Sequence, residues 1–311
     1  MKEKSKIKNS KILTYLSANY EFWILSLPAI IYFLVFCYWP MFGAVLAFKD
    51  FNYAEGIFGS DWIGFNNFKF FFMSNDAWRI TRNTLGYSSV FIITGTIAAM
   101  AVALLLFEIT SRRSIKLYQT IMILPNFMSW VLVGYITYIL FNGEKGVFNQ
   151  ILTALGHKGV DWYSTPGVWP FILPVVNIWK NVGMKSIMYY SALMGLDLSL
   201  YEAAEIDGAG RWKQTWAISI PSLLPVMTIL VIMDVGGIFR GDFGLFYQIT
   251  RDIGALYPTT DIIDTYVYRG LRTGDVGITS AIGLFQSVVG LVVVMGTNYL
   301  VKKIEPDNAM F

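Results

Sequence analysis

Four stretches of the chain, 22–48, 83–107, 117–143 and 276–301, contain no Asp, Glu, Lys or Arg. Each is longer than the roughly 20 apolar residues that an α-helix needs to cross a hydrocarbon core. Two further apolar runs are interrupted, 168–196 by Lys180 and Lys185 and 218–239 by Asp234. Counting these, the pattern predicts an all-α polytopic membrane protein with six transmembrane helices. The interruptions are informative, because an ionisable group at membrane depth is costly on a lipid face and normally points into the bundle or a wet cavity. Run 22–48 exceeds the 7–15 residues of a signal-peptide core and is read as an uncleaved helix, with Pro28 and Pro40 marking kinks or ends.

Composition agrees: 55% of residues are hydrophobic, 16% aromatic and 14% charged, against about 25% charged in soluble domains. The chain belongs in a cell membrane, as a multi-pass protein. Lys and Arg set its orientation. Lys2, Lys4, Lys6, Lys8 and Lys11 precede the first run, Arg112, Arg113 and Lys116 crowd a short loop, Arg211 and Lys213 lie in another, and Lys302 and Lys303 close the last run. Basic segments stay on the cytoplasmic side, so both termini are expected there. The expected division is 1–81 for the N-terminus, first helix and external loop, 82–303 for the transmembrane core, and 304–311 for a cytoplasmic tail. The net charge of +3 reflects this bias and argues for no nucleic-acid partner.

Catalysis finds little support. A single His157 and a single Cys37 cannot build a His/Cys metal cluster, a disulfide or a thiol switch. No Gly-Lys-Ser/Thr phosphate loop occurs, and the carboxylates Asp234, Asp242, Asp252, Asp261 and Asp264 are scattered. No enzyme, metal or cofactor is therefore expected in this chain.

The most distinctive polar segment is 202–221, EAAEIDGAGRWKQTWAISIP. Glu202, Glu205 and Asp207 supply charge, Ala203 and Ala204 keep a helix slim, and Gly208 can end that helix with positive φ. The segment resembles the EAA loop of ABC-importer membrane subunits: Glu202, Ala203 and Ala204 lead, Gly208 follows after three residues, Ile218 after nine more, and Pro221 closes it. Ile220 replaces the usual leucine, a swap of similar volume. Two short helices are expected across 200–213, bent at Gly208. Further residues, Trp62 to Phe68 with Asn83 and Thr84, resemble sugar-importer permeases of the maltose-uptake type. The segment from Phe239 to Gly290 resembles their branch associated with complex oligosaccharides such as pectin- or alginate-derived fragments.

The resemblance implies a MetI-like permease core and four kinds of partner: a cytoplasmic ATPase dimer that binds the ATP and Mg, a second homologous permease, an external solute-binding protein and a sugar substrate. It also implies that Glu202, Ala203, Ala204, Asp207 and Gly208 dock the ATPase. A six-helix channel or sensor would not need such a loop, a membrane enzyme would need convergent acids, bases or metal ligands, and an importer for a non-sugar solute is the nearest alternative.

For the substrate path the candidates are Asn177, Trp179, Lys180 and Asn181 on the fourth helix, Asp234 on the fifth and Gln286 on the sixth. Sugar hydroxyls need fixed donors and acceptors, pyranose faces lie on aromatic rings, and Lys180 would offer a countercharge to an acidic sugar. The competing reading pairs Lys180 with Asp234 inside the bundle for structure alone.

Overall fold

The computed structural model describes residues 19–304. Lys2 to Lys11 and residues 305–311 of the expected tail lie outside them. Helix α1, Tyr20–Phe48, runs from α through π to 3-10 geometry, with Pro28 inside it and Pro40 at the start of the 3-10 part. A two-residue antiparallel pair, β1 (Lys49–Asp50) with β2 (Asp61–Trp62), then folds the chain back. Helix α2, Asn66–Met73, is pinned there by Asn67, whose Nδ2 donates to the Ala47 and Lys49 carbonyls at 3.0 Å.

Helix α3 spans Asn75–Phe107, beginning before the expected 83 and crossing the expected boundary at 81/82. The Ser74 side chain caps it by accepting from the Ala77 N–H. A charge-free criterion misses this start because Arg79 and Arg82 lie in the opening turns, where both guanidinium groups find partners. Arg79 bonds Asp76 and Asp261 at 2.9 and 3.0 Å, and Arg82 donates to Asn83 and the Pro258 carbonyl.

The uncharged run 117–143 is a single helix in sequence and two in space. Helix α4, Arg112–Phe127, ends in a 3-10 turn and α5, Trp130–Phe141, leaves it at 99°. Pro125 removes one backbone donor, and Ser129 caps the second half by accepting from the Leu132 N–H, so the LPNFMSW segment carries both a stop and a start. After a short helix α6, Val147–Ala154, comes α7, Trp169–Met194. It lies along α3 and encloses Ala99, Ala103, Tyr189 and Leu193 with Leu223 of a later helix. At Gly183 the backbones nearly touch: a Cβ there would sit 2.0 Å from the Met122 carbonyl oxygen.

Helix α8, Ser199–Ile206, leads to α9, Arg211–Gly236. A π turn at Leu245–Ile249 packs beneath α5, and α10, Ile263–Thr273, precedes α11, Val276–Ile304. The segment around α10 is tied to α3 by buried Asp261, which accepts from Arg79, from Arg269 at 2.6 Å and from Thr265 at 2.9 Å. Among the described residues four helices are long and apolar enough to cross a membrane, and five if the bent pair counts as one span. Helix α7, which carries Asn177, Lys180, Asn181 and Lys185, is not among them.

Candidate functional site

Helices α7 and α9 enter two regions of the molecule. The first is the loop that joins them. Asp197 Oδ1 accepts from the Ser199 N–H at 3.0 Å at the start of α8, and that bond holds its carboxyl below the usual aspartate range. The helix closes with Asp207, Gly208 and Ala209 N–H groups donating to the Ala203, Glu205 and Ala204 carbonyls. Gly208 has φ +76°, the left-handed conformation that glycine adopts without a Cβ penalty. The turn Arg211–Gln214 opens the second expected helix, but it does not stop: it continues through a π turn, Thr215–Ser219, into α9. No breaker lies between Arg211 and Ile220, which is why the two merge.

Glu202, Ala203, Asp207 and Gly208 are exposed and Ala204 is half-buried. Ile206, which the sequence reading passed over, is 87% exposed at the tip of α8. The loop is fastened to the bundle by Arg211 with Glu108 at 2.7 Å and by the Tyr201 hydroxyl with Ser219 Oγ at 2.8 Å.

The second region is a cavity of about 450 Å³ between α3, α4, α7 and α9. Asn177, Asn181 and Asp234 line it, as do Asn126, Lys185, Arg240 and Asp242, none of which the sequence singled out for this role. Asn126 Nδ2 lies 3.3 Å from Asn181 Oδ1. Lys185, not Lys180, forms the ion pair with Asp234, at 2.5 Å. This corrects the competing reading, which paired Lys180 with Asp234. At 3.6 residues per turn Lys180 and Lys185 sit about 140° apart around the helix, and the spacing of Asn177, Asn181 and Lys185 at successive fours was the available clue.

The other candidates are placed elsewhere. Lys180 is 7% exposed, with Nζ donating to the Asn126 and Pro125 carbonyls at 2.8 and 3.4 Å, so it offers no free countercharge. Trp179 is 43% exposed and does not line the cavity. Gln286 donates to the Phe239 carbonyl and to Asp264. Side by side the lining amides, hydroxyls and charged groups suit polyhydroxylated solutes. Among the described residues no cluster of three or more His, Cys, Asp or Glu is fit to hold a metal.

Comparison with known proteins bears on both regions. The family model described as "Binding-protein-dependent transport system inner membrane component" matches residues 92–306. Protein LplB of Bacillus subtilis (strain 168) is 35% identical over 287 residues, covering 92% of this chain and 90% of its own. The polygalacturonan/rhamnogalacturonan transport system permease protein YteP of the same strain is 32% identical over 299 residues, covering 96% and 92%. A chain from the crystal structure of a bacterial ABC transporter involved in the import of the acidic polysaccharide alginate superposes with TM-score 0.87 at 32% identity, covering 95% of this chain and 99% of that one. Another, from an alginate transporter in complex with an alginate pentasaccharide-bound periplasmic protein, superposes with TM-score 0.84.

Proposed function

Because the chain belongs to the family of binding-protein-dependent transport system inner membrane components, we propose that the cavity between α7 and α9 is its solute path and that the loop joining these helices receives the force that opens it. The chain is a sugar or oligosaccharide ABC importer permease with a MetI-like fold. Its cargo is a polysaccharide-derived oligosaccharide. The acidic glycans named for YteP and for the alginate transporter support that class.

One observation carries the reading. The helix bearing Asn177, Asn181 and Lys185 and the helix bearing Asp234 are the two that α8 and Gly208 connect. A push on the connection therefore moves two cavity walls. The force comes from a separate ATPase dimer that binds the ATP and Mg, with Glu202, Ala203, Ala204, Asp207 and Gly208 seated in its groove and Ile206 beside them. A second homologous permease completes the cavity, and an external solute-binding protein delivers the sugar. Six spans, with α4 and α5 acting as one and α7 as another, place both termini and the α8 loop in the cytoplasm. Closure of the ATPase dimer turns the cavity outward and hydrolysis returns it inward, with no bond made or broken in the sugar.

Uptake by the complete importer in proteoliposomes tests this. With oligogalacturonate and maltotriose as probes, Asn177→Ala and Asn181→Ala each lower uptake of whichever probe the parent transports, at unchanged protein yield. Transport of a phosphate or amino acid in preference to every saccharide tried overturns the sugar assignment.

A further inference from the structure

Among the described residues Lys180 is the one buried lysine; it forms no ion pair, and a longer-range charge interaction links it to Asp242. Burying an ammonium costs heavily unless its donors are satisfied. Here they meet the break between α4 and α5. Lys180 Nζ donates to the Asn126 carbonyl at 2.8 Å and the Pro125 carbonyl at 3.4 Å, and lies 5.0 Å from the centre of the Trp130 ring at the start of α5. The carbonyls at a helix C-terminus have no N–H partner within the helix and carry its negative dipole end, so a cation there both satisfies and is favoured by them.

We infer that Lys180 is a positioning residue for transport: its ammonium stands in for the backbone donors missing at the break and thereby holds the Asn126 amide against Asn181 in the cavity wall. The inference rests on the reading of that cavity as the solute path. Geometry on both sides of the break supports it. Residue 126 has its backbone carbonyl held by Lys180 and its side chain 3.3 Å from Asn181. One turn along α7, the close approach at Gly183 seats α4 against the same helix, with its Met122 backbone where a Cβ would go. Thus α7 presents two cavity asparagines on one side and, with Lys180 between them in sequence, grips the element that supplies the third. An arginine retains N–H donors for the carbonyls, whereas methionine keeps the stem and loses them all.

The test uses the full chain assembled with its partner subunits, with Cys37→Ser removing the native thiol. Single cysteines at Asn126→Cys and Asn177→Cys are reacted with a membrane-impermeant methanethiosulfonate, and hydrogen exchange is followed across 126–132. Lys180→Met is expected to speed exchange at the break about tenfold or more. It is also expected to change the reaction rate at position 126 at least fivefold while leaving position 177 within twofold, and Lys180→Arg is expected to restore both. Should Lys180→Met fail to accumulate, Lys180→Gln, whose neutral amide keeps two N–H donors on a shorter stem without the charge, takes its place, with smaller shifts expected in the same direction. Unchanged exchange and an unchanged rate at 126 overturn the inference. Equal shifts at 126 and 177 overturn it as well, since they mean general loosening. If neither cysteine reacts in the parent, the solute-path reading fails, while exchange still decides whether Lys180 holds the break.

Discussion

Gly208→Val is a perturbation whose size follows from the backbone alone. Gly208 has φ +76°, and an added Cβ would meet no atom within 4 Å. The penalty is therefore conformational rather than steric against the bundle. A non-glycine residue in the left-handed region costs roughly 1–2 kcal/mol, at the upper end or beyond for a β-branched side chain. That corresponds to a roughly 5- to 30-fold fall in the population of loops holding the native bend. The loop is exposed and no core cluster includes it, so insertion and folding should be spared while docking is weakened. The measurement is ATP hydrolysis stimulated by the solute-binding protein, together with uptake, in the reconstituted importer at matched permease yield. Both are expected to fall several-fold for valine, less for alanine and least for asparagine, which tolerates positive φ. Wild-type activity for valine, or losses ranked by side-chain volume instead of by tolerance of the left-handed region, would refute the reasoning.

Gly183→Ala acts by the opposite route: its Cβ would lie 2.0 Å from the Met122 carbonyl oxygen, so α4 and α7 must separate, and the expected outcome is a loss of folded protein, read by size-exclusion yield in detergent. At the cavity, Lys185→Met or Asp234→Asn alone leaves a partner uncompensated. Each side chain is 30% exposed, which discounts the cost to the order of 1–3 kcal/mol; the double variant should be more thermally stable than either single one, and a strictly additive double would show that the pair does not interact. A reporter fused after Lys303 should read as cytoplasmic and one inserted at His157 as external; finding both on one side would remove the six-span topology.

Much of this protein was decided by local chemistry and is therefore legible in one dimension. Length without charge determines that 22–48 and 276–301 become helices, because a bilayer leaves backbone polar groups no partner outside the helix. The loop was legible for the same reason: Glu202, the two alanines and Gly208 act through residues within ten positions of one another, and the left-handed bend falls where glycine stands. Merging of Arg211–Gln214 into α9 was less so, since it depended on what failed to interrupt the helix.

Tertiary structure decided the rest, wherever a residue's partner is distant in sequence. Arg79 and Arg82 have local partners in Asp76 and Asn83, but their other partners, Asp261 and the Pro258 carbonyl, arrive from far along the chain. Pro125 and Ser129 were readable as a stop and a start, but the 99° between the halves depends on what α4 and α5 separately pack against: Gly183 and Lys180 on one side, the π turn on the other. Choosing which of two lysines meets Asp234 needed the rotation of α7 about its axis, which sequence leaves open until α3 and α9 close around it. The physical reason is the same throughout: capping, φ preference and hydrophobic length act between near neighbours, whereas pairing a buried charge is settled by where the bundle brings its partner.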